Sequence, residues 1–224
     1  MSVLVVAAHP DDEILGCGAT IACLSDEPVD IAILGEGITS RSSDRSQANR
    51  EDIDALHACA EKSAQLVGAR SVRLLSLPDN MFDSLPLLNV VKIVEGLVEE
   101  LSPHTIYTHH GGDLNIDHTV THRAVLTATR PLAGCPVKDV LAFEVPSSTE
   151  WAFGRLERSF TPNVFVDVGE RIERKIEAME SYEGEARTFP HPRSPEALRA
   201  IARRWGTVVG CGYAEAFELV RSVR

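Results

Sequence analysis

Three side chains within the run His9-Pro10-Asp11-Asp12-Glu13 place an imidazole beside two carboxylates, just where an apolar segment, Val3 to Ala8, comes to an end. A histidine and a carboxylate three residues apart across a strand-to-helix turn can converge on one divalent cation. His9 and Asp12 are the expected ligands. Asp11 then stays free to face a water on that cation and act as general base, because a bound zinc lowers the pKa of water to about 7. Taken alone, the same five residues also suit an acidic helix cap that holds no metal.

A second dense stretch weighs against the cap. His109-His110-Gly111-Gly112-Asp113-Leu114-Asn115-Ile116-Asp117-His118 follows another short apolar segment, Thr105 to Thr108. A catalytic zinc takes three protein ligands and keeps a position for water, so one more ligand is needed. His118 is favoured, with Asp117 beside it to orient the imidazole. His118 and His122 also share helical spacing, which leaves a helical pair as a competing site.

The elements that must present these residues read as alternating strands and helices. Val3 to Ala8, Val29 to Leu34, Val72 to Leu77 and Thr105 to Thr108 are short apolar runs bounded by turn residues, the pattern of buried parallel strands. Between them, helices are predicted from Glu13 to Ser25, Asn49 to Val67 and Leu87 to Leu101, with another from the second stretch to about Arg130. Gly16 and Gly18 are read as a packing device that lets the first helix lie close to the sheet, since the full dinucleotide fingerprint is absent. Residues 35–47 form a polar, aperiodic candidate active-site loop, and His57 falls near the apolar face of its helix as a packing residue. Beyond Pro131 the pattern changes to two extended pieces, Val137 to Val145 and Val164 to Val168, expected as an antiparallel extension. A charged helix from Glu170 to Tyr182, a rigid loop Phe189-Pro190-His191-Pro192-Arg193-Ser194 and a helix from Pro195 to Trp205 complete the reading. The fold class is α/β, a Rossmann-like three-layer sandwich with a mostly parallel sheet. One domain is expected over 1–224, with a core at 1–130 and a pocket-forming extension at 131–224. Ligands of such sheets bind beyond the carboxyl ends of the strands, where both dense stretches lie.

Composition narrows the partners. Thirty-three Asp and Glu against 22 Lys and Arg give a formal charge of −11, which repels phosphate backbones and anionic lipid surfaces. Nucleic acid is not expected as a partner. The amino-terminal apolar run is too short for a signal sequence or a membrane span, so no membrane insertion and a cytoplasmic location are expected. Five cysteines without a Cys-x-x-Cys pair indicate reduced thiols.

With these residues in view, His9-Pro10-Asp11-Asp12-Glu13 followed about a hundred positions on by Asn115-Ile116-Asp117-His118 resembles the PIG-L (LmbE-like) family of zinc-dependent N-deacetylases, which act mainly on N-acetylglucosamine-type sugars. The resemblance extends along the whole chain in element order. It implies zinc on His9, Asp12 and His118, with Asp11 as base and Asp117 in support of the metal site. Family members acting on thiol-linked glucosaminides usually carry a histidine where this chain has Asn115. The amide of Asn115 can still donate a hydrogen bond to the oxyanion, a donor worth on the order of 3 kcal/mol. His191, held between two prolines, is expected to add polarisation or to protonate the leaving amine. Asp79, Arg50 and Arg193 are expected substrate contacts, Asp79 for sugar hydroxyls and the arginines from pocket-forming loops. The Gly-Asp-Leu-Asn-x-Asp-His form of the second motif, with Pro146 to Trp151 and the His191 loop, is similar to a bacterial subgroup of sugar-modification enzymes.

The expected reaction is zinc-dependent hydrolysis of the acetamide of a small-molecule amino-sugar substrate, free, glycosidic or nucleotide-linked, by a chain that can assemble as a homo-oligomer. Two alternatives stand beside it. One is hydrolysis of another N-acyl or thiol-glycoside conjugate on the same chemistry. The other is a non-catalytic sugar- or metal-binding protein, against which the unliganded Asp11 argues.

Overall fold

The uninterrupted apolar runs form the middle of a seven-stranded sheet. In the computed structural model, which describes residues 2–24, 26–41 and 49–224, β1 (Val3–Ala7) and β2 (Val29–Gly35) are buried at every position. Ser25, the expected end of the first helix, and residues 42–47 of the expected polar loop lie outside the described residues. The other strands are β3 (Ser71–Leu77), β4 (Thr105–His109), β5 (Asp139–Phe143), β6 (Val164–Asp167) and β7 (Ala214–Ser222), in the spatial order β3-β2-β1-β4-β5-β7-β6. Neighbours from β3 to β5 are parallel. β7 runs antiparallel to both β5 and β6.

Successive side chains of a strand point to opposite faces, so two cores form. Val3, Val5, Ala7, Ile31 and Ile33 pack with α1 (Asp12–Cys23), α2 (Arg50–Val67) and α5 (Arg171–Glu180) on one side. Leu4, Val6, Ala8, Ala32 and Leu34 pack with α3 (Leu87–Leu101) and α4 (Ile116–Ala128) on the other. α6 (Pro195–Val209) lies against β7, with Trp205 packed on Ala214 and Ala216. This is the expected three-layer sandwich. Among the described residues no helix is long and apolar enough to cross a membrane.

Two expectations change. The parallel run does not stop near residue 130, because β5 joins β4 in parallel register; β7 alone is reversed, and β6, antiparallel to β7, runs in the same sense as β5. β7 itself was not anticipated, and it fills the place between β5 and β6. Gly16 acts as expected: a Cβ there would sit 2.3 Å from the Phe143 ring, so only glycine lets α1 come this close to β5.

Chain order reverses at β1, which has β2 on one side and β4 on the other. This is the switch point of a doubly wound sheet, where a crevice opens beyond the strand ends. His9 leaves β1 there, and residues 110–118 leave β4 beside it.

Candidate active site

The turn after β1 is held in an uncommon conformation. Asp11 has φ 107°, a region non-glycine residues rarely occupy and one that clusters at functional sites. Its amide donates to Glu13 Oε2 at 3.0 Å, Glu13 Oε1 accepts from the Tyr182 hydroxyl at 2.5 Å, and the Asp11 carbonyl accepts from the amides of Ile14 and Leu15. Asp11 stands at the N-cap of α1 but its side chain does not cap. The carboxylate instead meets Arg193 Nη1 at 2.5 Å.

Asp12 begins α1 and points to the centre of the crevice. Its Oδ2 lies 3.3 Å from His9 Nδ1, 3.2 Å from His118 Nε2 and 3.6 Å from His109 Nε2. The far nitrogen of each proposed ligand is held from behind. His9 Nε2 is 2.9 Å from Asp117 Oδ2 and 3.3 Å from Asp79 Oδ1, while His118 Nδ1 is 3.1 Å from Asp113 Oδ1. A carboxylate at one ring nitrogen keeps the proton there and turns the lone pair of the other outward. His9 Nδ1 and His118 Nε2 therefore both face Asp12.

The buried charges fit a cation. Burial disfavours imidazolium at His9 and His118, yet Asp117 and Asp12 at His9, and Asp12 and Asp113 at His118, pull the two imidazoles up to about 10 and about 9. A floor that draws protons this strongly is short of positive charge, which a divalent ion supplies on the same donors. Burial and the neighbouring acids Asp12, Glu185 and Glu13 raise Asp11 well above the carboxylate range, against the opposing pull of Arg193. His9, Asp12 and His118 are mutually close enough to hold one ion, and so are His9, Asp79 and Asp117. The first set fits better. All three of its members line the cavity, whereas Asp117 does not, and Asp117 and Asp79 already accept from the Phe82 amide and from Ser40.

Above this floor lies a cavity of about 540 Å³, within the range of small-molecule sites. Asp79, Asn80, Ser40, Leu114, Asn115, Ile116 and Trp151 are on its lining, and Arg193, also on the lining, joins Asp11 to Glu185. Asn115 Oδ1 caps α4 at the Asp117 amide, and its Nδ2 donates to Asn80 Oδ1 at 2.9 Å, leaving one amide hydrogen for a ligand.

The expected residues do not all converge. His9, Asp11, Asp12, Asp79, Asn115, His118 and Arg193 line one cavity. Arg50 is exposed at the start of α2 and is not among them. His191 is not on the lining either. Its Nδ1 accepts from the Arg193 amide at 3.1 Å and its ring meets Trp151, so it supports lining residues from behind. Asp117 orients His9 rather than its neighbour His118, because the first turn of α4 sends adjacent side chains in different directions. His122 lines a different pocket from His118 and belongs to neither close-set group of metal-binding side chains among the described residues, so the helical pair does not form a ligand set.

Two functional side chains escaped the sequence reading. Asp113 is the partner of His118, and burial is outweighed there by His118, Ser148 and Thr149, which bring its carboxyl to about 2. His109 stacks on His118 with centroids 3.9 Å apart, and its Nε2 accepts from the Ala8 amide, so it backs the site as a neutral ring.

Two imidazoles and a carboxylate converging beyond a parallel sheet, with a second carboxylate spared beside them, give the chain a site that would suit the class of metal-assisted hydrolases of α/β architecture. Within that class it belongs to the PIG-L family, described as GlcNAc-PI de-N-acetylase, which residues 4–129 match. Over 184 residues the chain is 28% identical to the probable N-acetyl-alpha-D-glucosaminyl L-malate deacetylase 2 of Bacillus cereus, covering 79% of this chain and 80% of that protein. The N,N'-diacetylchitobiose deacetylase of Pyrococcus horikoshii superposes with a TM-score of 0.77 at 21% identity, over 98% of this chain and 84% of the other. GalB, the 4-carboxy-2-hydroxymuconate hydratase of Pseudomonas putida KT2440, superposes with a TM-score of 0.76 at 19% identity, over 100% and 97%. At such identities the superpositions attest to the fold alone, and GalB shows that this fold also carries other chemistry.

Proposed function

We propose that the chain is a zinc-dependent deacetylase that hydrolyses the acetamide of an N-acetylglucosamine-type amino sugar, releasing acetate and the free amine. The observation that carries this reading is Asp11. It is 3% exposed on the floor of the cavity, lies next to the His9, Asp12 and His118 set, and is bound by no member of it. Binding alone has no use for such a carboxylate; amide hydrolysis needs a proton acceptor at that place.

His9, Asp12 and His118 hold the zinc, which when bound polarises the acetamide carbonyl and lowers the pKa of water. Asp11 takes the proton of the attacking water and returns it to the nitrogen as the carbon–nitrogen bond breaks. Arg193, bonded to Asp11, to Glu185 at 3.1 Å and to Ser147 Oγ at 2.8 Å, holds that carboxylate in place. Asn115, on the cavity lining, offers its remaining amide hydrogen to the carbonyl oxygen. Asp79 and Asn80 offer acceptor and donor groups to sugar hydroxyls.

Asp11→Asn tests the base. Turnover, measured as acetate release from N-acetylated amino sugars, is expected to fall roughly 10²- to 10⁴-fold with zinc content unchanged. Near-normal turnover would place the base elsewhere, and no acetate from the zinc-loaded wild-type chain would overturn the reading itself.

A further inference from the structure

Two buried groups beside the site have no part in the reaction as described. Glu13 and Tyr182 are 1% and 0% exposed, neither lines the cavity, and Glu13 belongs to neither close-set group of metal-binding side chains among the described residues. The Glu13 carboxylate nevertheless has two donors. Its Oε2 accepts from the Asp11 amide at 3.0 Å and its Oε1 from the Tyr182 hydroxyl at 2.5 Å. A buried carboxylate is costly to keep, and one that meets neither ion nor ligand has its use in what it bonds.

What Glu13 bonds is the backbone of the base. At φ 107° Asp11 lies outside the ordinary range of a residue with a side chain. Its conformation is set by the two peptide groups that flank its Cα. The following one is held by α1, since the Asp11 carbonyl accepts from the amides of Ile14 and Leu15 at 3.1 and 2.9 Å. The preceding one is held at its N–H by Glu13. Without that bond the peptide can turn about the N–Cα bond of Asp11 towards an ordinary φ, which re-aims the carboxylate.

Tyr182 serves the side chain of Asp11 as well. Its ring is packed in the core shared by α1, α2 and α5. Its carbonyl accepts from the amides of Glu185 and Ala186 at 2.8 and 3.0 Å, closing a turn just after α5. That turn carries Glu185, which Arg193 joins to the Asp11 carboxylate. One residue therefore fixes Asp11 from both ends, its hydroxyl through Glu13 at the backbone and its carbonyl through Glu185 and Arg193 at the carboxylate.

We infer that Tyr182, acting through Glu13, is a positioning residue for Asp11, its hydroxyl holding the turn after β1 in the conformation that sets the base beside His9, Asp12 and His118. It acts through geometry, where a displacement of about 1 Å can cost roughly 10²-fold in rate. The inference rests on the reading of Asp11 as the base.

The test uses the zinc-loaded full chain and reads acetate release from N-acetylglucosamine and N,N'-diacetylchitobiose. Tyr182→Phe removes the hydroxyl and keeps the ring and the carbonyl. Its kcat is expected to fall roughly 10- to 100-fold, with KM within about twofold and zinc content unchanged. Glu13→Ala should lose at least as much. Glu13→Gln should retain most of the rate, because its amide oxygen can still accept from the Asp11 amide while its NH2 donates to the tyrosine oxygen. A residue that acts through the base has nothing left to position once the base is gone, so in the Asp11→Asn background Tyr182→Phe should cost less than about twofold more. Exchange of the Asp11 amide hydrogen, followed by nuclear magnetic resonance, reads the hold without turnover and should quicken about tenfold or more in Tyr182→Phe. Equal losses in both backgrounds, wild-type kcat in Tyr182→Phe, or unaltered exchange there would overturn the inference and leave the deacetylase standing. No acetate from the wild-type chain, together with faster exchange in Tyr182→Phe, would overturn the deacetylase and leave the hold on the turn.

Discussion

At the scale of single residues, Asp113 joins ligand and substrate walls. Its carboxylate accepts from Ser148, Thr149 and the Asn115 amide while lying against His118. Replacing it with alanine leaves His118 Nδ1 without a charge partner and strands two buried hydroxyls. Zinc affinity, measured by competition with a chelator, is expected to fall roughly 10- to 100-fold, the usual effect of losing a carboxylate behind a ligand histidine. Unchanged affinity would mean that packing against His109 alone orients His118. The sequence displayed Asp113 in the middle of its second dense stretch, yet gave no reason to prefer it to Asp117. Both are carboxylates near a histidine, and only the path of the chain decides which imidazole each one meets. Asp11 was easier to single out, because with His9, Asp12 and a third ligand from the second stretch on one ion, a further carboxylate would fill the position that water needs. His191 lies off the cavity lining, a position the sequence could not indicate, since flanking prolines show that a loop is stiff and not which way its ring faces.

At the scale of elements, α1 carries Asp12 and Glu13 at its start and is broken five residues later, with φ −147° and ψ 21° at Cys17. Lys175 of α5 donates to the Leu15 carbonyl at 2.7 Å, and Glu215 of β7 accepts from the amides of Ala19 and Thr20 at 3.2 and 2.6 Å. Leu15 C=O and Ala19 N–H are partners in an unbroken α-helix. Here a buried ion pair, 2.7 Å from nitrogen to oxygen, stands between them. Lys175→Met leaves the Glu215 carboxylate unpaired and should cost about 3–5 kcal/mol in urea unfolding. Adding Glu215→Leu removes the unpaired charge but still leaves the backbone groups of the break unserved, so only part of that loss should return. Full recovery would show that the pair does not serve the break. The same residue explains why β7 was not read as a strand. Strands β1 and β2 announce themselves as apolar runs, but β7 sets Glu215 on a buried face. Its compensation comes from a lysine 40 positions away, which local patterning does not contain.

At the scale of the molecule, a chain of formal charge −11 concentrates buried acids at one end of its sheet. Asp11, Asp12, Glu13, Asp79, Asp113, Asp117 and Glu185 are all at least nine-tenths buried. Arg193 is the one arginine or lysine on the wall of that cavity among the described residues, and protons drawn to His9 and His118 make up part of the deficit. A divalent cation on the same donors does so without taking protons from water, and it binds the folded chain alone because the unfolded chain does not bring residues 9, 12 and 118 together. At a free zinc concentration about 100 times Kd, the folded state should gain about 2.7 kcal/mol. For a chain of this length that corresponds to a rise in Tm of about 5–10 °C. Calorimetry of metal-stripped protein with and without zinc measures it, with chelator reversing the gain. In His118→Ala the rise should be largely lost, since the two donors that remain, His9 and Asp12, come from a single strand-to-helix turn and no longer surround the ion. An equal rise in that variant would show that zinc acts elsewhere on the acidic surface and would remove His118 from the ligand set.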